Sequence, residues 1–296
     1  MTSIAQSQKQ TETIVHPQST SRSWRPLRSL ASHSMLAIGA LFFVVPLVFM
    51  LSTSLKAMRQ IAQFPPQLIP DPVIWLNYPD VFLYAPMHKY FFNTMFIVIP
   101  SIAGAVFTSS LAAYAFARLR APGKNFIFMI LLSTMMLPSA VTLVPTYILF
   151  AKLGWVGGFK PLVIPALMGS AFFVFLMRQF FLTIPRELED AALMDGCSRL
   201  RIYGSIVLPL AKPVLATVTI FAFMGAWNEF FRPLIYLGNQ DQYTLSLGLR
   251  VFVEAHRAEW GLMMAASTMM VMPVIVIFFL AQKHFVQGIT LTGIKG

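Results

Sequence analysis

Six long stretches without a charged side chain limit the folds that this chain can adopt. They are residues 35–51, 91–117, 125–151, 161–177, 213–228 and 261–282. A helix needs about 20 mostly apolar residues to cross a bilayer. Charged residues make up only 11% of the 296-residue chain, too few to cover a water-exposed surface of this size. We therefore predict an all-α, polytopic membrane protein with six transmembrane helices.

The distribution of Lys and Arg predicts which side of the membrane each loop occupies. With the N terminus inside, 14 of the 22 Lys and Arg residues lie on the inner side and 8 on the outer side. Cytoplasmic loops retain these residues, so both termini are predicted to be cytoplasmic. Residues 1–34 are rich in Ser, Thr and Gln and predict a disordered cytoplasmic tail. A cleavable signal peptide is the alternative, but the polar lead is long and no clear cleavage site follows Leu51.

The net charge of +11 invites a nucleic-acid interpretation. However, the basic residues are scattered between apolar runs rather than gathered on one face, so membrane topology explains them better and no nucleic-acid partner is expected. The single cysteine, Cys197, excludes a disulfide framework and a cysteine metal site, and no metal is predicted.

The loop between Arg178 and Lys212 is the most informative segment of the chain. Pro185 suits the first turn of a helix, and Gly196 permits a sharp break after it. Three acids favour the positive end of that helix dipole: Glu187, Glu189 and Asp190. We predict a short cytoplasmic helix between two membrane helices. On composition alone, a helix resting on the bilayer surface is the commoner outcome, although an acidic start suits an anionic leaflet poorly.

One motif in this loop has a specific spacing. Asp190-Ala191-Ala192 is followed by three residues, Gly196, nine residues, and then Ile206-Val207-Leu208-Pro209. This stretch resembles the EAA loop of bacterial binding-protein-dependent ABC importer permeases, whose pattern is E-A-A, three residues, G, nine residues, I-x-L-P. The one departure is Asp190 where that family usually has Glu, which keeps the charge and shortens the side chain by one methylene.

Further matches narrow the resemblance to the maltose-type carbohydrate permeases. They are Trp227-Asn228-Glu229-Phe230, residues 243–249 and the closing residues 285–296. The resemblance covers residues 35–296, which we interpret as one transmembrane permease domain with a coupling loop at about 178–212.

The resemblance implies a permease subunit of an ATP-driven importer in the bacterial inner membrane, surrounded by lipid. It would translocate an oligosaccharide, polyol or sugar phosphate by alternating access. The implied partners are a second homologous permease, two ATPase subunits that hold ATP and Mg, and an extracytoplasmic substrate-binding protein. The chain has no G-x-x-x-x-G-K-[ST] phosphate loop, so it is predicted to bind no cofactor, and ATP hydrolysis is assigned to the partner.

The candidate site residues form three groups. The resemblance implies ATPase coupling by Glu187, Asp190, Ala191, Ala192, Asp195 and Gly196. A possible outer gate, or a helix cap, is formed by Trp227, Asn228 and Glu229. Polar and aromatic residues suited to sugar contacts predict a possible substrate cavity, although helix packing explains each of them as well: Asn93, Thr94, Ser133, Thr134, Thr142, Ser170 and Phe223.

Two other classes remain as alternatives. An ion-coupled secondary transporter usually carries ionisable residues at membrane depth, and the six runs contain none. A membrane-embedded enzyme needs a clustered set of reactive side chains, and all five histidines lie outside the runs. The absence of an ion-coupling group favours an external energy source.

Overall fold

The computed structural model describes residues 25–254 and 257–293, and nearly all regular structure in these ranges is helical. The helices in chain order are α1 (Arg25–Ser54), α2 (Met58–Ile61), α3 (Asn77–Tyr84), α4 (Met87–Arg118), α5 (Lys124–Ser133), α6 (Ser139–Lys152), α7 (Lys160–Leu167), α8 (Ala171–Thr183), α9 (Glu187–Met194), α10 (Arg199–Ile202), α11 (Leu208–Leu210), α12 (Lys212–Trp227), α13 (Phe231–Tyr236), α14 (Leu245–Gly248) and α15 (Trp260–Gly293). Short 3₁₀ turns occupy Thr134–Met136, Gln240–Gln242 and Leu249–Phe252, and Tyr203–Val207 forms a π-helical turn. Strands β1 (Val253–Glu254) and β2 (Arg257–Ala258) pair antiparallel, with Val253 opposite Ala258.

Four segments are long and apolar enough to cross a membrane: Ser32–Ser54, Met87–Arg118, Lys160–Thr183 and Trp260–Leu280. Two further pairs of helices pass the same test together but are sharply bent, by 99° between α5 and α6 and by 80° at the start of α12. Over the described ranges the chain therefore has four candidate spans, or up to six if each bent pair crosses once. The prediction of a helical, polytopic membrane protein is confirmed, and the count of six stays a prediction.

The start of the first helix differs from the prediction. Residues 1–34 were expected to be a disordered tail, but α1 already begins at Arg25. Residues 1–24 lie outside the described part of the chain. Residues 25–49 belong to one compact unit and the chain from Met50 onward forms a second. The sections below concern the second unit.

A proline divides the stretch 125–151, which the apolar pattern predicted as one helix. Leu137 has φ −77° and ψ 116°, and the following helix starts after Pro138. A residue before proline is displaced from the helical region because the proline ring collides with its backbone. The result is the bend of 99° between α5 and α6.

Helix α4 is the centre of the second unit, and it packs against α7, α8 and α12. Its crossing with α7 is close because Gly104 has no Cβ, and a Cβ there would overlap the Cα of Leu167. The hydroxyl of Thr108, one turn further along, donates to the carbonyl of Leu167 at 2.7 Å. Near the C-terminal end of α4, Ala113, Tyr114 and Ala117 join a buried apolar cluster with α8, α9 and α12.

Short helices form a cap in residues 52–84, after the first apolar run. The amide of Asn77 donates to the carbonyls of Ser54 and Lys56 at 2.9 and 3.0 Å. The ammonium of Lys56 is buried and donates to the carbonyl of Gln67. These side chains supply donors to backbone carbonyls that have no partner within a regular helix.

Candidate functional site

The loop between α8 and α12 contains the short helix that its sequence predicts. Helix α9 has three acids in its first turn and no base in its last turn. Gly196 ends it with φ +77°, a conformation that residues with a Cβ rarely adopt. The N–H of Cys197 bonds the carbonyl of Ala192 at 2.9 Å, and the N–H of Gly196 bonds that of Leu193 at 3.0 Å. This pair of bonds is a Schellman motif, so the break is fixed by hydrogen bonds as well as by glycine.

Five of the six predicted coupling residues lie on the solvent-exposed side of this loop: Glu187, Asp190, Ala191, Asp195 and Gly196. Ala192 is the exception, because it is 7% exposed and packs in the same apolar cluster as Phe181 and Ile202. Residues three and four apart share a helix face, so Ala192 lies on the inward side with Glu189 and Leu193. Its prediction as a surface residue needs correction: its small side chain lets the helix approach the bundle closely.

Glu189 carries an interaction that the sequence interpretation missed. Its Oε1 lies 3.0 Å from Nε of Arg118, at the end of α4, and both side chains are at most 5% exposed. The Nε–H of Arg118 is not aligned for a hydrogen bond to the carboxylate, so the contact is an ion pair. A second cation, Arg199, lies 3.9 Å from Oε2 and is half exposed. The sequence did contain a signal for this interaction. Glu189 and Ala192 are three residues apart and share one face of α9, so a buried Ala192 implies an inward-facing carboxylate.

Arg118 also joins a third helix to this pair. Its Nη2 donates to the carbonyl of Ile184 at 2.5 Å and to the carbonyl of Phe181, both at the end of α8. Carbonyls at a helix C terminus lack partners within the helix, and a buried guanidinium supplies the missing donors. One side chain therefore connects α4, α8 and α9.

A groove lies along the helices on another part of the unit. It consists of two cavities of about 490 and 320 Å³, which share Pro165, Glu229 and Arg232. The larger cavity is lined by residues of α4, α7, α8 and α12, including Thr94, Ser101, Ser170, Phe173 and Phe221. The smaller is lined by α6, α7 and α13, including Ser139, Thr142, Thr146 and Tyr236.

Three of the seven predicted cavity residues line this groove: Thr94, Thr142 and Ser170. The other four have structural contacts instead. The amide of Asn93 donates to the carbonyls of Asp241 and Tyr243 at 2.9 and 3.0 Å. Ser133 and Thr134 each donate to a carbonyl three residues earlier in the chain. Phe223 is buried and stacks on Trp227 with ring centroids 5.3 Å apart. These four side chains lie outside both cavities.

Of the three predicted gate residues, Glu229 alone lines the groove. Trp227 is 1% exposed, and its indole N–H donates to the carbonyl of Met270 at 3.2 Å. Asn228 donates to the carbonyl of Met224 at 3.0 Å. Glu229 Oε1 accepts from the N–H groups of Phe231 and Arg232 at 3.1 and 3.3 Å, and Oε2 lies 3.7 Å from Nε of Arg232. Glu229 therefore both caps α13 and lines the groove, and Arg232 is a groove residue that the sequence interpretation missed.

Across residues 25–254 and 257–293, no group of three or more His, Cys, Asp or Glu side chains is arranged to hold a metal ion. The groove instead offers hydroxyls, five aromatic rings and one ion pair.

The sequence from residue 105 to residue 291 matches a family described as the binding-protein-dependent transport system inner membrane component. The chain belongs to this family. The matched range includes α9, the Arg118–Glu189 pair and the Glu229–Arg232 pair.

Several named permeases resemble this family member along most of its length. The arabinooligosaccharides transport system permease protein AraQ of Halalkalibacterium halodurans is 31% identical over 269 residues, covering 88% of this chain and 96% of AraQ. The sn-glycerol-3-phosphate transport system permease protein UgpE of Yersinia enterocolitica is 33% identical over 265 residues, covering 87% and 94%. The sulfoquinovosyl glycerol transport system permease protein SmoH of Agrobacterium fabrum is 31% identical over 275 residues, covering 93% and 95%.

The fold of this permease also matches a solved structure. A chain of a bacterial ABC transporter involved in the import of the acidic polysaccharide alginate superposes with a TM-score of 0.79 at 25% identity. The match covers 90% of this chain and 98% of that one.

Proposed function

We propose that this chain is a permease subunit of an ATP-driven importer that translocates a carbohydrate, either an oligosaccharide, a polyol or a sugar phosphate. The observation that carries the proposal is the exposed, acidic helix α9, held between α8 and α12 in a chain of the binding-protein-dependent family. The relatives named for arabinooligosaccharides, sn-glycerol-3-phosphate and sulfoquinovosyl glycerol support the substrate class.

The proposed membrane arrangement has six crossings in a bacterial inner membrane, with each bent pair of helices counted as one. Both termini are cytoplasmic. Residues 1–34 form the tail, which is helical from Arg25, and residues 35–296 form the permease domain with the coupling loop at 178–212. The excess of Lys and Arg in loops on the side of the N terminus supports this orientation.

Helix α9 is the proposed docking element for the ATPase. Glu187, Asp190, Ala191, Asp195 and Gly196 are exposed and form its contact surface, while Ala192 packs beneath them. Two ATPase subunits hold ATP and Mg, a second homologous permease completes the pathway, and an extracytoplasmic binding protein delivers substrate. Closure of the ATPase pair moves α9, and the bundle turns the pathway from one side of the membrane to the other.

The groove is the proposed contribution of this subunit to the pathway wall. Hydroxyls of Ser139, Thr142 and Ser170 can exchange hydrogen bonds with substrate hydroxyls, and Phe173 and Phe221 offer apolar ring faces. Arg232 and Glu229 lie where the two cavities meet. Alternating polar and apolar lining of this kind suits a polyhydroxylated molecule that must bind weakly and move on.

Site-directed crosslinking tests the proposal. A cysteine at the exposed Ala191, with Cys197 changed to Ser, should capture a P-loop ATPase in native membranes, and ATP should alter the yield. The matched control is a cysteine at the buried Ala192, one residue away, which should capture little. Capture of lipid alone from position 191, with no ATPase in the gently purified complex, would instead indicate a helix resting on the bilayer and an ion-coupled transporter.

A further inference from the structure

We propose that the buried ion pair between Arg118 and Glu189 transmits movement of α9 to α4, and through α4 to the groove. This inference rests on the proposed function, because it concerns how docking of an ATPase reaches the membrane pathway. It differs from transmission through the helices directly joined to the loop, since α4 is separated from α9 by 68 or more residues of chain.

The first step is the placement of the contacts on α4. Ser110, Tyr114 and Arg118 are four residues apart and therefore lie on one face of the helix. All three reach the loop: Arg118 pairs with Glu189 at 3.0 Å, the Tyr114 hydroxyl donates to the carbonyl of Arg199 at 3.4 Å, and the Ser110 hydroxyl lies 2.7 Å from that of Tyr203. The loop is thus attached to α4 along two helical turns.

The second step concerns the strength of the Arg118–Glu189 ion pair, which lies at the end of α4. Both side chains of the Arg118–Glu189 pair are at most 5% exposed, so water screens their attraction little. Separating them would leave Arg118 with carbonyl partners alone and Glu189 with only the half-exposed Arg199 at 3.9 Å, which is costly for buried charges. The pair therefore moves as one body, in contrast to the exposed Glu229–Arg232 pair at 3.7 Å, which water can replace.

The third step concerns the covalent connection from α9 to α12. The loop passes from α10 into the π-helical turn Tyr203–Val207, and an 80° bend follows before α12. A π-helical turn and a bend absorb displacement within the chain, because their backbone hydrogen bonds are less regular than those of a straight α-helix. The covalent path from α9 to α12 is therefore interrupted twice, whereas Arg118, Tyr114 and Ser110 contact the loop directly.

The fourth step connects α4 with the groove. Thr94, Ile97, Ser101 and Ala105 of the same helix line the larger cavity. Their spacing of three or four residues places them on one face. Ser101 and Ala105 lie between Arg118 and Pro100, which interrupts the helix hydrogen bonds, so a displacement at Arg118 reaches this part of the cavity wall first.

The test measures access to the groove and needs no knowledge of the substrate. Inside-out membrane vesicles carry the complete importer with a cysteine at Ala166, which lines the larger cavity and is half-buried, and with Cys197 changed to Ser. Labelling by a membrane-impermeant maleimide is followed with and without ATP and vanadate. In the parent protein ATP and vanadate should slow labelling about tenfold, a normal size for coupling between two sites.

Glu189→Gln is expected to abolish this response, bringing the ratio of the two labelling rates close to one, while the ATPase stays bound. Arg120→Gln is the matched control, since it removes an exposed cation two residues beyond Arg118 and should keep the full response. If Glu189→Gln fails to accumulate in the membrane, the double variant Arg118→Gln with Glu189→Gln decides, because it leaves no unpaired buried charge.

A full tenfold response in Glu189→Gln and in the double variant would overturn the inference. So would loss of the ATPase from Glu189→Gln, because the pair would then serve docking rather than transmission. A parent protein that binds no ATPase and shows no response to ATP would instead contradict the proposed function. The two failures are therefore distinguishable.

Discussion

The hydroxyl of Thr94 accepts a hydrogen bond from the backbone N–H of Leu245 at 2.9 Å, across 151 residues of sequence. The same hydroxyl donates to the carbonyl of Tyr90 at 2.8 Å, and Thr94 is 1% exposed. Thr94 therefore ties α4 to the first turn of α14 at the edge of the larger cavity. It was predicted as a substrate ligand, but the side chain is buried and its hydroxyl already donates one hydrogen bond and accepts another within the protein.

Thr94→Val should destabilise the permease by about 1–3 kcal/mol, because the buried N–H of Leu245 loses its acceptor while the side-chain volume hardly changes. Thr94→Ser keeps the hydroxyl and should cost less. Thermal unfolding of the detergent-solubilised protein compares the two. Equal stability of the valine variant and the parent would show that the hydrogen bond contributes little.

Gly104→Ala should also destabilise the protein, by about 1–3 kcal/mol, because the added methyl group forces α4 and α7 apart. Gly225→Ala is the matched control, since nothing lies within 4 Å of a Cβ at that position. The same unfolding measurement applies. A stable Gly104 variant would mean that the crossing relaxes without cost.

Gly196→Val should disrupt the end of α9 and uncouple ATP hydrolysis from movement of the groove. Space is not the obstacle, since nothing lies within 4 Å of a Cβ there, but φ of +77° is strained for a β-branched residue. Gly196→Asn should retain most coupling because asparagine tolerates this conformation. The maleimide assay measures the response to ATP in each variant, and an intact response in Gly196→Val would remove the glycine break from the coupling mechanism.

Asp190→Lys should reduce the ATPase recovered with the affinity-purified permease, whereas Asp190→Glu should be tolerated. The side chain is exposed on α9, so reversal of its charge acts on the docking surface and leaves the fold intact. Membrane insertion of all three proteins is the control. Equal recovery of the ATPase would exclude Asp190 from that surface.

A pH dependence is expected at the cap formed by residues 52–84. Burial lowers the pKa of the Lys56 ammonium below its ordinary value of 10.5, so the folded protein holds this proton less tightly than the unfolded chain. Stability gained from this group therefore rises as pH increases from the folded pKa towards 10.5 and is absent below that window. The stability of the parent minus that of Lys56→Gln should increase in alkaline buffer, and a constant difference would contradict the assignment.

The membrane class and the short loop helix could be predicted because their determinants are local. An apolar run must form helix in a bilayer, and the acids of α9 and Gly196 set the ends of the loop helix without help from distant residues. Pro185, predicted in the first turn of that helix, lies two residues before its start at Glu187. The inward orientation of Glu189 and Ala192 depends on which face of α9 meets the bundle. The groove likewise depends on tertiary packing, which brings Arg232 beside Pro165 and directs Phe223 into the core.

The sharp break between α5 and α6 lies in an exposed segment that must be covered when the protein is in the membrane. Residues 133–142 around this break are all exposed in the single chain. Interrupted backbone at the depth of the hydrocarbon is tolerated only where protein or a water-filled cavity covers it. In the proposed assembly the pathway, which Ser139 and Thr142 line, and the second permease cover this break, so a chain without its partner leaves interrupted backbone facing lipid.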